Sequence, residues 1–254
     1  MTTPLPRIVR PRPGLDLVLR EAGTGGAVLV LHGGPGPDSV APLIDHLSAA
    51  HRVLAPTHPG WDDTPRPDAL DSVAALAALH LDLLELLDVR DVTVVGTSFG
   101  GWVAVESALG DRDGRIGRLV LMDAIGPQVP GHPITPPGGP PPAAGPVPAA
   151  GAPAPRGGPS ARPPAALRAY AGPHLGDPGL LPRLSAVACP VQVIWGENDR
   201  VATPAYGRAY AAAFPDARFE LIRGAGHLPL REEPSAVFAA LDAFLARPAD
   251  AAIG

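Results

Sequence analysis

The stretch DVTVVGTSFGG, Asp91–Gly101, decides how this chain is read. Its first part, Asp91 to Gly96, is apolar and β-branched and too short for a helix, so it reads as a buried strand. Gly96-Thr97-Ser98-Phe99-Gly100 follows without a break, and residues from Phe99 to about Leu109 continue as a helix. Strand, tight turn and helix form the context in which G-x-S-x-G lifts a serine above a sheet edge on strained backbone. Glycines two before and two after Ser98 leave room for that turn. Gly101 lets the helix approach neighbouring strands. For the motif alone, the plain alternative is a glycine-rich turn with an incidental serine.

The same alternation extends in both directions. Ala27–Leu31, Arg52–Thr57, Arg118–Asp123, Pro190–Gly196 and Ala217–Gly224 read as further strands. Asp38–Ala50, Leu70–Val89, Ala205–Phe214 and Ser235–Ala246 read as helices, with Asp38 or Ser39 and Asp71 or Ser72 as candidate caps. Arg7–Arg10 and Leu15–Glu21 suggest an antiparallel edge hairpin around Pro13-Gly14. Strands alternating with helices imply an α/β fold with a mostly parallel, doubly wound sheet. The continuous apolar strands fit a sheet covered on both faces.

Composition narrows the function classes. The 254 residues suffice for one large α/β domain. The net charge is -5 and the 20 basic residues are scattered, so no nucleic-acid partner is expected. No apolar stretch approaches the roughly 20 residues of a membrane-spanning helix, so no membrane partner is expected either. The N-terminus has no apolar core of a secretory signal. The single cysteine, Cys189, reads as a small buried hydrophobe and excludes an intrachain disulfide. A cytoplasmic location is the expectation. The expected partner is a small-molecule substrate, and oligomeric state is left open.

A serine hydroxyl needs a positioned base. Of eight histidines, His227 stands in GAGHLP, Gly224–Pro229, directly after the last predicted strand. Such a loop lies at the carboxyl ends of the strands, as does the Ser98 turn. The base needs a carboxylate to fix its tautomer. Asp199, in WGENDR after the strand that ends at Gly196, occupies the same edge. The chain order Ser98, Asp199, His227 is the one expected when G-x-S-x-G carries a nucleophile. Asp123, at the end of RLVLMD, is the alternative acid; Glu197 is a third carboxylate in reach. For the oxyanion hole, the backbone N–H groups of Phe99 and of Gly34 in HGGPG, His32–Gly36, are the candidate donors. His32 reads as a brace for that loop. HGGPG has neither the Lys-Ser/Thr of a P-loop nor dinucleotide-binding spacing. Trp61, in HPGWDD after the second core strand, either lines a substrate pocket or packs on the scaffold. No metal or organic cofactor is implied, because no clustered ligand set appears.

HGGPG, HPGW, GTSFGGW, WGENDRV and GAGHLPLREEP together resemble the successive signature loops of the α/β-hydrolase superfamily, from about Leu15 to Asp123 and from about Leu184 to Leu245. The resemblance implies an α/β-hydrolase-type sheet and Ser-Asp-His acyl transfer without a cofactor. HGGPG is similar to the prolyl iminopeptidases, and GTSFGG to carbon–carbon-bond hydrolases and small carboxylesterases. Ser98 stands where haloalkane dehalogenases and epoxide hydrolases carry an aspartate. The reading is therefore an esterase-like serine hydrolase. A prolyl-iminopeptidase-like aminopeptidase, a carbon–carbon-bond hydrolase, and a non-hydrolytic lyase or ligand-binding protein are the alternatives.

The departure lies after Asp123, where this superfamily often inserts a helical lid. Residues 1–124 and 185–254 are expected to form the core, with 125–184 as the lid-position insertion. Within it, 126–164 contains a tract, 133–164, that is almost wholly Pro, Gly and Ala, and these residues bury little area. A poorly ordered segment there, an open site and weak specificity are expected. Ala165–Tyr170 and Leu180–Leu184 are expected to supply short helices.

Overall fold

Eight strands, β1 Arg7–Arg12, β2 Leu15–Ala22, β3 Ala27–Leu31, β4 Arg52–Pro56, β5 Val92–Thr97, β6 Ile116–Met122, β9 Val191–Gly196 and β10 Ala217–Ile222, form one sheet in the computed structural model, which describes residues 6–135 and 165–247. Their order is β1-β2-β4-β3-β5-β6-β9-β10. β2 pairs antiparallel with β1 and β4, and every other pair is parallel. Every residue of β3 and of β9 is buried, as a strand covered on both faces requires. β10, at the sheet edge, alternates between half-buried and exposed positions. The hairpin expected at the N-terminus is present, turning at Gly14 with φ 75°.

Two hydrophobic clusters lie on opposite faces of the sheet. On one face pack α2 Val73–Leu86, α3 Phe99–Gly110 and α6 Pro204–Ala211; on the other pack α1 Ala41–Leu47 and α8 Pro234–Leu245. α3 is buried on nearly all sides, from Phe99 to Ser107. Its approach requires glycine: a Cβ on Gly100 would lie 2.1 Å from the Leu31 carbonyl oxygen, and one on Gly101 2.3 Å from Ala124 Cβ.

Ser72 caps α2, accepting the Ala75 N–H at 3.2 Å. The helix expected over 38–50 starts later. Residues Pro37–Val40 form a 3-10 turn, and Ser39 Oγ donates back to the Gly36 carbonyl instead of capping α1.

Of the segment 126–164, expected to be poorly ordered, residues 126–135 carry regular pairing and packing; residues 136–164 lie outside the described residues. β7, Gly126–Pro127, pairs in parallel with β8, Gly176–Asp177, and the Tyr206 hydroxyl donates to the Pro127 carbonyl at 2.9 Å. Val129 is buried and Ile134 packs against the core, so this part of the segment does bury apolar side chains. Beyond 164 the chain forms α4, Ala165–Ala171, and α5, Leu180–Arg183. Arg183 ends α5 and grips Glu106 of α3 with two hydrogen bonds of 3.0 and 2.8 Å.

Candidate active site

Because the six central and distal strands run parallel, the loops after β3, β5, β6, β9 and β10 emerge at one edge of the sheet. Ser98 sits between β5 and α3 at φ 51°, ψ -114°, a conformation that non-glycine residues rarely adopt. Its N–H donates to the Met122 carbonyl at 2.9 Å, and its carbonyl accepts from Gly101 and Ile125. Three neighbouring segments therefore hold the strained turn in place.

The loop after β10 brings His227 Nε2 to 2.9 Å from Ser98 Oγ. The loop after β9 brings Asp199 Oδ2 to 2.8 Å from His227 Nδ1. Asp199 is 3% exposed. Its Oδ1 accepts the N–H groups of Val201 and Ala202 at 2.7 and 3.1 Å, which fixes the carboxylate plane. The structure thus aligns serine, imidazole and carboxylate in a continuous hydrogen-bonded chain. With Nδ1–H directed to Asp199, Nε2 is left as the acceptor for the serine proton. Glu197 lies away from this chain and accepts the Gly224 N–H at 3.0 Å. Glu232 of α7, Pro229–Glu232, accepts the Gly226 N–H and steadies the histidine loop; nothing in the sequence signals that role.

Asp123, the alternative acid, is fully buried beside this chain. Its Oδ1 accepts the Gly196 N–H at 2.9 Å. Its carboxyl lies within 4.8 Å of Asp199 and of His227. Burial, and then the neighbouring Asp199 carboxylate, push the Asp123 carboxyl well above the usual carboxylate range. A cation held by Asp123, Asp199 and His227 would have to displace existing bonds, since both ring nitrogens of His227 are committed.

The HGGPG loop passes directly over the nucleophile. A Cβ on Gly33 would stand 3.1 Å from Ser98 Cβ. The Gly33 carbonyl accepts from His32 Nδ1 at 2.8 Å and from the Gly36 N–H at 3.1 Å. Across a trans peptide the Gly34 N–H points the opposite way. The Phe99 N–H opens α3, where a first-turn N–H has no intrahelical acceptor.

A cavity of about 520 Å³ adjoins Ser98 and His227, walled by Pro35, Pro42, Met122, Leu228 and Leu230, with Asp38 and Arg231 also lining it. Trp61 is not on that wall. It is 4% exposed and lies behind the loop, donating its indole N–H to the Gly34 carbonyl at 3.0 Å and stacking on Phe99. It packs there because the 58–64 loop folds back on itself, with Trp61 N–H bonded to the His58 carbonyl.

Beneath the loop, His32 Nε2 accepts the His58 N–H at 3.0 Å and His58 Nε2 donates to the His32 carbonyl at 3.1 Å. His80 packs against His58. Burial pushes His32 down to about 4 and His80 to about 3, and lowers His58 as well. All three are neutral structural groups.

Residues 28–241 match the family described as "Alpha/beta hydrolase family". An uncharacterized protein of Mycobacterium tuberculosis is 28% identical over 91% of this chain and 79% of its own length. A 2-hydroxy-6-oxo-2,4-heptadienoate hydrolase of Pseudomonas putida is 35% identical over 44% of this chain and 42% of its own. Among solved structures, an esterase of Thermogutta terrifontis superposes with a TM-score of 0.72 at 22% identity, covering 95% of this chain and 98% of that one.

Proposed function

From the premise that this chain belongs to the alpha/beta hydrolase family, we propose that it is a serine hydrolase acting on small carboxylic esters or related acyl bonds through an acyl-enzyme intermediate. The observation that carries the reading is the continuous chain Ser98 Oγ, His227, Asp199, at 2.9 and 2.8 Å. Ser98 attacks the carbonyl carbon while His227 Nε2 takes its proton. The Phe99 and Gly34 N–H groups hold the developing oxyanion. His227 then protonates the leaving alcohol. It next activates a water that releases the acid and restores Ser98. Asp199 keeps Nδ1 protonated and stabilises the imidazolium throughout. No metal or organic cofactor enters these steps.

The apolar cavity walls favour a small, largely uncharged acyl or alcohol group. An aminopeptidase would need acidic groups free to bind a substrate amine. Asp38 is the acidic residue lining the cavity, and it is paired with Arg20 at 2.6 Å. The likeness to the Pseudomonas putida enzyme supports carbon–carbon-bond hydrolysis as a second reading, since the same serine and base would serve it. No helix among the described residues is long and apolar enough to cross a membrane. We place the protein in the cytoplasm as part of this proposal.

The test is labelling by a fluorophosphonate probe, with Ser98→Ala as control, beside turnover of short-chain p-nitrophenyl esters and of a 2-hydroxy-6-oxo-dienoate. Labelling and ester turnover that vanish in the variant are expected. Labelling with turnover of the dienoate alone selects the second reading. Folded protein that is not labelled overturns both and leaves a lyase or ligand-binding role.

A further inference from the structure

We propose that Asp123 is a positioning residue of this site: a neutral carboxylic acid whose O–H donates to Asp199 and holds the carboxylate that faces His227. Its positioning role rests on the hydrolase reading; its protonation does not.

Two buried carboxyl groups, Asp123 and Asp199, lie within 4.8 Å of each other and of His227. Like charges this close in a water-poor site do not both persist, and one carboxyl keeps its proton. The hydrogen bonds decide which one. Asp199 is met by three donors, the Val201 and Ala202 N–H groups and His227 Nδ1. Asp123 receives one, the Gly196 N–H on Oδ1, and its Oδ2 is buried without any donor or acceptor partner. Charge is therefore better solvated on Asp199, and the proton belongs on Asp123. A proton on Oδ2 also gives that unpartnered oxygen a donor to offer, and the Asp199 carboxylate, within 4.8 Å, is the neighbouring acceptor. The ionisable groups bearing on Asp123 are Asp199, His227 and, from α7, Glu232. Glu232 is a further negative charge and reinforces the neutral form.

The consequence for the site is a pair with one net negative charge. Asp199 shares its charge between His227 and Asp123. Removing the donor while keeping the fold makes Asp199 a stronger partner for the imidazolium, so His227 holds its proton to higher pH.

Asp123→Asn tests this because an amide reproduces both bonds: its NH2 donates to Asp199 and its carbonyl accepts the Gly196 N–H. Asparagine also tolerates the φ of 45° found here. The expected result is kcat within about threefold of the parent and an acid limb of kcat/KM that does not move. Asp123→Ala should lower kcat about tenfold with KM unchanged, as loss of one hydrogen bond allows, and should shift the acid limb to higher pH. Equal profiles for the Asn and Ala variants, or an acid limb displaced by Asp123→Asn, overturn the proposal. Infrared difference spectra of carboxyl-labelled protein provide a readout independent of turnover and of whether Asp123→Ala folds. Wild type minus Asp123→Asn should show the carbonyl stretch of a protonated acid at neutral pH, and its absence overturns the proposal. Such a band in protein that neither labels nor hydrolyses esters leaves the neutral acid standing and removes the hydrolase reading alone.

Discussion

Trp61 donates its indole N–H to the carbonyl oxygen of Gly34 at 3.0 Å, tying a buried aromatic to the loop that lies over Ser98. That bond sets the orientation of the Gly34–Pro35 peptide, and the His32 and Gly36 bonds set that of the Gly33–Gly34 peptide. Together they aim the Gly34 N–H. Trp61→Phe keeps the stacking on Phe99 and removes only the bond. Steady-state kinetics should show kcat down about tenfold or more, with little change in KM, as expected when an oxyanion donor is loosened. An unchanged kcat in folded protein would argue against Gly34 as the donor.

Ser98 pays a conformational cost that can be read as a reversal of sign. In ordinary backbone, glycine is less stable than alanine by about 0.5–1 kcal/mol. At φ 51°, ψ -114° the order should invert. Both Ser98→Gly and Ser98→Ala lose the hydroxyl, but only glycine relieves the strain. Ser98→Gly should therefore be the more stable of the two by about 1 kcal/mol, visible as a Tm higher by about 2–4 °C for a chain of this size. Calorimetry showing alanine the more stable would contradict the strained geometry.

The three buried histidines make the protein labile to acid. Their protons are bound more readily by the unfolded chain, at the ordinary value of 6.5, than by the fold, where burial pushes His32 down to about 4 and His80 to about 3. Stability is thus complete above 6.5 and falls as pH drops from there toward about 4. Each histidine contributes a slope on the order of 1 kcal/mol per pH unit in that window. Urea unfolding across the window should show this slope, and His80→Leu should make it shallower. An unaltered slope in that variant would remove His80 from the account.

Glu106 is buried in α3 and held by both guanidinium nitrogens of Arg183. Arg183→Met preserves much of the aliphatic stem and strands the carboxylate. Chemical denaturation should show a loss of about 2–3 kcal/mol, the cost of leaving a buried charge unpaired, reduced because Arg183 itself is half-exposed. The double variant with Glu106→Gln should recover part of it. A loss below about 0.5 kcal/mol would mark the pair as a surface contact.

Much of this arrangement is legible in the sequence because the relevant signals are local. β5 is β-branched and ends in a glycine turn, so the strand, the elbow and the helix can be read in one pass over Asp91–Gly101. The edge on which Asp199 and His227 emerge follows from the parallel alternation. Other features depend on distance through space. Asp123 and Asp199 both follow parallel strands, β6 and β9, and the sequence treats them as rivals; only their separation and their donors assign them different protonation. Trp61 reads equally as pocket or scaffold until the 58–64 loop turns it behind HGGPG. The Pro/Gly-rich composition over 126–164 conceals that Val129 and Ile134 find apolar partners and that Gly126 and Pro127 find a strand.

The hydrogen bond between Ser98 and His227 joins residues 129 positions apart, and His227 emerges only after the last strand of the sheet. A chain being synthesised from its N-terminus carries the nucleophile long before it carries the base. The half-made protein holds an unactivated hydroxyl, however well its first strands have paired. Hydrolytic competence would thus arrive in a single late step, when β9 docks on β6 and β10 on β9, and the onset of activity in a refolding or translation reaction would time the closure of the sheet rather than the formation of its centre.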